Sequence, residues 1–134
     1  MIPLLVDSNI ILDVATQDPI WAERSGRALA REAEQVQLVI NPIIFAEVSV
    51  GFERVEQLEA ALPPGLFRRE NLPWEAAFLA GKCFLAYRRR GGQKTSTLPD
   101  FYIGAHAALA GYRLLTRDAA TYRTYFPGLE ILVP

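Results

Sequence analysis

Short apolar runs alternate with longer segments of helical spacing along this chain, and each apolar run stops at a polar residue. Residues 2–6 (Ile-Pro-Leu-Leu-Val) end at Asp7 and read as a buried strand, with Pro3 tolerated only near its start. Ser8 or Asn9 is placed to cap a short helix over Ile10–Val14. Asp18-Pro19 is a cap followed by proline, and predicts a helix from Ile20 to Glu34 supported by the Glu23/Arg27 pair. Val36–Ile40 is a second strand, and Asn41-Pro42 starts the helix that carries Ile43, Ile44, Glu47 and Val50, ended by Gly51. Glu53–Leu62 reads as a short helix and Leu66–Arg69 as a short edge strand.

Pro73 opens a longer helix whose Trp74, Phe78, Gly81 and Leu85 recur at helical spacing and predict an apolar packing face. Gly91-Gly92 stops it, and the polar stretch Gly91–Leu98 reads as a mobile loop. Pro99-Asp100 begins a helix to Ala110, closed by Gly111. Its small residues Gly104, Ala105, Ala107 and Ala108 suit close packing on a sheet. Arg113–Thr116 and Leu129–Val133 complete the strands. Strands alternating with helices predict an α/β fold, a parallel sheet with helices on both faces, in one domain spanning 1–134.

Composition narrows the possibilities. The chain has 134 residues, is 51% hydrophobic and carries a net charge of −1, which fits one globular domain and gives no sign of a general nucleic-acid binder. Lys82 and Lys94 are its only lysines, so arginine, the planar phosphate-matching cation, makes up 12 of the 14 basic residues. A single cysteine, Cys83, reads as core and excludes an internal disulfide; a single histidine, His106, cannot build a zinc site with it. The N-terminal stretch lacks a basic signal region, and no apolar run nears the roughly 18 residues of a membrane helix, so a cytoplasmic protein is expected.

The chemistry lies in four acids. Asp7 and Asp118 follow strands, Asp100 opens a helix, and Glu47 interrupts the apolar sequence Ile-Ile-Phe-Ala-Glu-Val. In an open parallel sheet such positions gather at the carboxyl edge, where ligands bind. Four pooled carboxylates repel one another and call for a cation, and hard oxygen donors suit Mg²⁺ or Mn²⁺. Ser8, Asn9 and Thr116 are placed to orient the carboxylates or a water. Such a site activates water against a phosphate. The Gly91–Leu98 loop, with Gln93 and Lys94, is the candidate substrate contact, together with Arg117, for which a salt bridge is an equal reading. Asp13 and His106 read as structural, and Tyr122, Tyr125 and Phe126 as core or dimer-surface residues.

The ordered set Asp7-Ser8-Asn9, Phe-Ala-Glu47-Val, Leu98-Pro99-Asp100-Phe101-Tyr102-Ile103-Gly104-Ala105-His106-Ala107 and Leu115-Thr116-Arg117-Asp118 resembles PIN domains, among them VapC-type ribonuclease toxins. The resemblance implies a three-layer α/β/α fold with about five parallel strands. It implies a metal-dependent endoribonuclease in which Asp7, Glu47, Asp100 and Asp118 bind Mg²⁺ or Mn²⁺, with Ser8 or Asn9 and Thr116 supporting them. It also implies a homodimer and a VapB-type antitoxin, through which alone the complex touches DNA. A haloacid-dehalogenase phosphatase would need a second acid where Asn9 stands, and a receiver domain a late lysine where none occurs. A non-catalytic cation-binding or interaction domain is the reading from another class.

Overall fold

The computed structural model describes residues 1–94 and 98–134. The part of the predicted substrate loop at residues 95–97 lies outside them.

Among the described residues five strands form one parallel sheet: β1 (Leu4–Val6), β2 (Leu38–Ile40), β3 (Phe67–Arg69), β4 (Arg113–Leu115) and β5 (Ile131–Leu132), in the order β3-β2-β1-β4-β5. Leu5 of β1 stands opposite Val39 of β2 and Leu114 of β4, so the first strand is central. Every residue of β1 and β2 is buried, which explains why both read as continuous apolar runs without alternation. From β1 the chain steps outward to β2 and β3, then crosses to β4 and β5 on the other side. The reversal between β1 and β4 is the switch point at which open sheets leave a crevice.

Among the described residues seven helices flank the sheet: α1 (Ser8–Ala15), α2 (Ala22–Ala33), α3 (Pro42–Ser49), α4 (Val55–Ala61), α5 (Trp74–Arg89), α6 (Pro99–Ala110) and α7 (Ala119–Tyr125). Asn41 caps α3 as expected, its Oδ1 accepting from Ile44 N at 3.0 Å. Gly111 closes α6 in the left-handed region, φ 73°, where a side chain would be strained. The Glu23–Arg27 pair forms on α2. Cys83 is buried and unpaired, as its apolar neighbours imply. Among the described residues no helix is long and apolar enough to cross a membrane.

Local details depart from expectation. The cap of α1 is Asp7, which accepts from Ser8 N at 2.8 Å, so the helix starts at Ser8 rather than after Asn9. Asp18 accepts from Ile20 N and Trp21 N, but those bonds close a turn, and α2 begins only at Ala22. The stripe expected to pack α5 faces outward: Trp74 is 89% exposed and Phe78 70%, with Leu85 also exposed. Ala76, Ala80 and Cys83 are buried instead, and their small side chains let α5 lie close against α6. On α6, Gly104, Ala105 and Ala107 are buried, whereas Ala108 is exposed. A Cβ at Gly104 would stand 2.3 Å from the Phe126 ring, so its closest packing is against that ring.

Candidate functional site

Each acid reaches the carboxyl edge of the sheet by a different route. Asp7 extends β1, its N–H donating to Leu115 O of β4 at 2.9 Å. Asp118 follows β4. Glu47 lies on α3, which leaves the carboxyl end of β2. Asp100 stands in the first turn of α6, whose far end feeds β4, so its N-terminus returns to the same edge.

Asp7 is the centre, only 2% exposed. Its Oδ2 accepts from Thr116 Oγ1 at 2.7 Å and Tyr122 Oη at 3.0 Å. Ser8 Oγ lies 3.4 Å from Asp7 Oδ1 and donates to Glu47 Oε1 at 2.9 Å. Tyr122 Oη also meets Asp100 Oδ1 at 3.2 Å. Hydroxyls therefore link Asp7 to Glu47 on one side and to Asp100 on the other. Thr116 Oγ1 accepts from Asp118 N at 3.1 Å and Asn9 Nδ2 at 3.3 Å, which ties the segment after β4 to α1. Asn9 Oδ1 in turn accepts from Arg117 N.

The electrostatics agree with this clustering. Burial pushes the Asp7 carboxyl up, against hydrogen bonds from Thr116, Tyr122 and Ser8. Burial raises Glu47 as well, opposed by Ser8 and reinforced by the Asp7 charge. Asp100 rises to about 6 through burial and the charges of Asp7 and Glu47, with a further push from Asp118 and opposition from the Tyr122 hydrogen bond. Asp100 thus feels all three other acids. Burial and the neighbouring Asp7 and Asp100 charges hold the Tyr122 phenol far above its ordinary range, so it stays a donor. A phenol has one hydrogen and donates to one carboxylate at a time.

Among the described residues no three His, Cys, Asp or Glu side chains stand close enough to hold one ion as placed. The hydroxyls of Ser8 and Tyr122 lie between the carboxylates. The donor set itself is all oxygen, as hard cations require.

The structure brings Ser8, Asn9 and Thr116 to the four acids. Arg117 makes the salt bridge expected as one of its two readings: it forks onto the buried Asp13, with both bonds 2.9 Å, and its guanidinium lies over the Trp21 ring. Asp13, also bonded by Ser25 Oγ at 2.6 Å, is structural. Lys94 is exposed beyond α5; its backbone carbonyl accepts from Arg88. His106 is buried, its Nδ1 accepting from Asn41 Nδ2 at 2.9 Å. Tyr122, expected among the core or dimer-surface residues, belongs to the site. It is buried, but its hydroxyl is spent on the acids. Its place one helical turn after Asp118 was the available signal.

The fold and site define a class: a doubly wound parallel α/β protein with a carboxylate cluster at its switch point. The family model described as PIN domain matches residues 4–127. The chain belongs to that family. No curated protein sequence matches it. Solved structures share the fold. A chain of VapBC2 from Rickettsia felis, bound to a DNA fragment from its promoter, aligns with a TM-score of 0.75 at 18% identity, covering 98% of both chains. VapBC-1 from nontypeable Haemophilus influenzae aligns at 0.72 and 18%, covering 98% of this chain and 97% of that one. A toxin–antitoxin complex from Klebsiella pneumoniae aligns at 0.66 and 27%, covering 96% and 95%.

Proposed function

We propose that this chain is a metal-dependent endoribonuclease and the toxin of a toxin–antitoxin pair acting in the cytoplasm. One observation carries the chemistry: at the carboxyl edge of the sheet the hydroxyls of Ser8 and Tyr122 bridge Asp7 to Glu47 and to Asp100, and Thr116 ties Asp7 to the backbone of Asp118. That much negative charge, built from oxygen donors, suits Mg²⁺ or Mn²⁺. Asp7, Glu47, Asp100 and Asp118 would hold the ion. A bound divalent ion supplies charge stabilisation at the phosphodiester and a water of lowered pKa. The chain's own work is positioning. Ser8 aligns Glu47 with Asp7, Thr116 fixes Asp7 and the backbone of Asp118, and Tyr122 holds Asp7 and Asp100 apart by one hydroxyl.

Partners follow the same reading. A VapB-type antitoxin is the expected inhibitor, with DNA engaged only through it. An apolar groove of about 410 Å³, lined by Ile11, Val14, Leu29, Ala33 and Leu66 among others, suits an amphipathic helix of that partner. The exposed Trp74, Phe78 and Leu85 stripe suits a second copy in a homodimer. Lys94, exposed and cationic, is the proposed substrate contact. The assay is cleavage of total cellular RNA by antitoxin-free protein with Mg²⁺ or Mn²⁺, with EDTA, and by the Asp7→Asn variant. Discrete fragments that need the ion and vanish in the variant are expected. Intact RNA under every ion, from folded protein, counts against the reading.

A further inference from the structure

A second cavity opens on the same sheet edge, one strand away from the acids. It measures about 240 Å³ and is lined by Ile40, Asn41, Pro42, Phe45, Arg69, Glu70 and Asn71. Ile40 ends β2, which pairs directly with β1, and Glu70 follows β3. Adjacent strands lie about 4.8 Å apart. Helix α3 supplies Phe45 to this cavity and, two residues on, Glu47 to the acid cluster. One rigid element therefore serves both places.

The walls are flat and the floor is fixed. Arg69 lies over the Phe45 ring, 5.2 Å from its centroid. Its guanidinium is held there by a fork onto Glu59, at 2.8 and 3.3 Å, and by Leu62 O. Below, Asn41 spends its oxygen on the α3 cap and its amide nitrogen on His106. The His106 ring, whose other nitrogen faces Glu70 Oε1 at 3.4 Å, braces Asn41 and Glu70 from behind. Tyr122 plays no part in this network; Tyr112 and Arg68 hold Glu70 Oε2 instead, at 2.7 and 2.6 Å. Asn71 is exposed at the mouth with both donor and acceptor groups.

Unstacked bases of single-stranded RNA are recognised by stacking on aromatic rings or arginine planes, with hydrogen bonds to their edges. The volume is below the roughly 300 Å³ at which drug-sized ligand pockets begin, which is the scale of a single heterocycle. We infer that this cavity is a subsite for one nucleobase of the RNA strand, stacked along Phe45 and Arg69 and read at its edge by Asn71 and Glu70. The inference rests on the nuclease reading above. It makes Phe45 and Asn71 determinants of where the strand is cut.

The test is steady-state cleavage of one short single-stranded RNA by the parent and by Phe45→Ala, Phe45→Tyr and Asn71→Ala proteins. Cut ends are mapped and melting curves recorded alongside. Stacking of one base is worth a KM increase of roughly 5- to 150-fold in Phe45→Ala. Phe45→Tyr should keep the parent KM, kcat should change much less, and Asn71→Ala should redistribute the cut positions. Unchanged KM and unchanged ends in folded Phe45→Ala and Asn71→Ala overturn the subsite while leaving the nuclease intact. Should Phe45→Ala fail to fold, the exposed Asn71 decides by the same criterion. A parent protein that cuts no RNA removes the nuclease reading and the subsite with it.

Discussion

Replacing Asp100 with asparagine should stabilise the ion-free protein at neutral pH. Burial and the charges of Asp7 and Glu47, with Asp118 beyond them, raise its carboxyl to about 6 from an ordinary 3.8. Each unit corresponds to about 1.4 kcal/mol, so the ionised group opposes folding by roughly 3 kcal/mol at pH 7. An amide carries no charge and still offers an oxygen to Tyr122. Partial solvent access and readjusted hydrogen bonds reduce the expected gain to about 1–2 kcal/mol. For a domain of this size that is a Tm increase of roughly 3–8 °C. The pH dependence has a definite sign. A folded-state pKa above the unfolded value contributes stability that is fully present below about 3.8 and is lost as pH rises through about 6. The advantage of the variant is therefore nearly full at pH 7.5 and small at pH 4. Melting curves in EDTA at pH 4, 5.5 and 7.5 measure it, and added Mg²⁺ should raise the parent Tm more than that of the variant. A variant that melts below the parent at pH 7.5, or a difference equal at pH 4 and 7.5, would refute the reasoning.

Three further outcomes are expected. Thr116→Val and Tyr122→Phe each remove a hydroxyl that orients Asp7, and should lower divalent-ion affinity or cleavage about 10- to 100-fold, read by Mn²⁺ titration and RNA cleavage. Gly104→Ala drives a methyl into the Phe126 ring and should cost about 1–3 kcal/mol in chemical denaturation. Asp13→Asn leaves Arg117 without its fork and should cost about 2 kcal/mol, less than the roughly 3–5 kcal/mol of a fully buried pair because the arginine reaches solvent; RNA affinity should not change.

Much of the fold is legible in the residues because β1, β2 and β4 are buried on both faces and their helices begin at visible caps such as Asn41. The four acids are legible for a related reason. A carboxylate directly after a buried strand, like Asp7, or inside an apolar helix, like Glu47, has no packing role to explain it. Other features depend on distances that the sequence does not carry. The stripe Trp74, Phe78 and Leu85 shows that α5 has two unlike sides but not which one faces inward. The small Ala76 and Ala80 settle that, by allowing α6 to approach. Tyr122 reads as core because it is core; only its hydroxyl, 115 residues away from Asp7 in sequence, belongs to the site. Arg117 and Asp13 are 104 residues apart, so their pairing is equally invisible along the chain.

The central claim is that the four acids act as one site on RNA. It is tested most directly by single-turnover cleavage of one labelled RNA by the parent and by Asp7→Asn, Glu47→Gln, Asp100→Asn and Asp118→Asn proteins, each with Mg²⁺ and with EDTA. The account predicts parent cleavage that EDTA abolishes, and a loss of more than about 100-fold in all four folded variants. Parent-rate cleavage by any one of them would remove that acid from the site, and ion-independent cleavage by the parent would contradict the account as a whole.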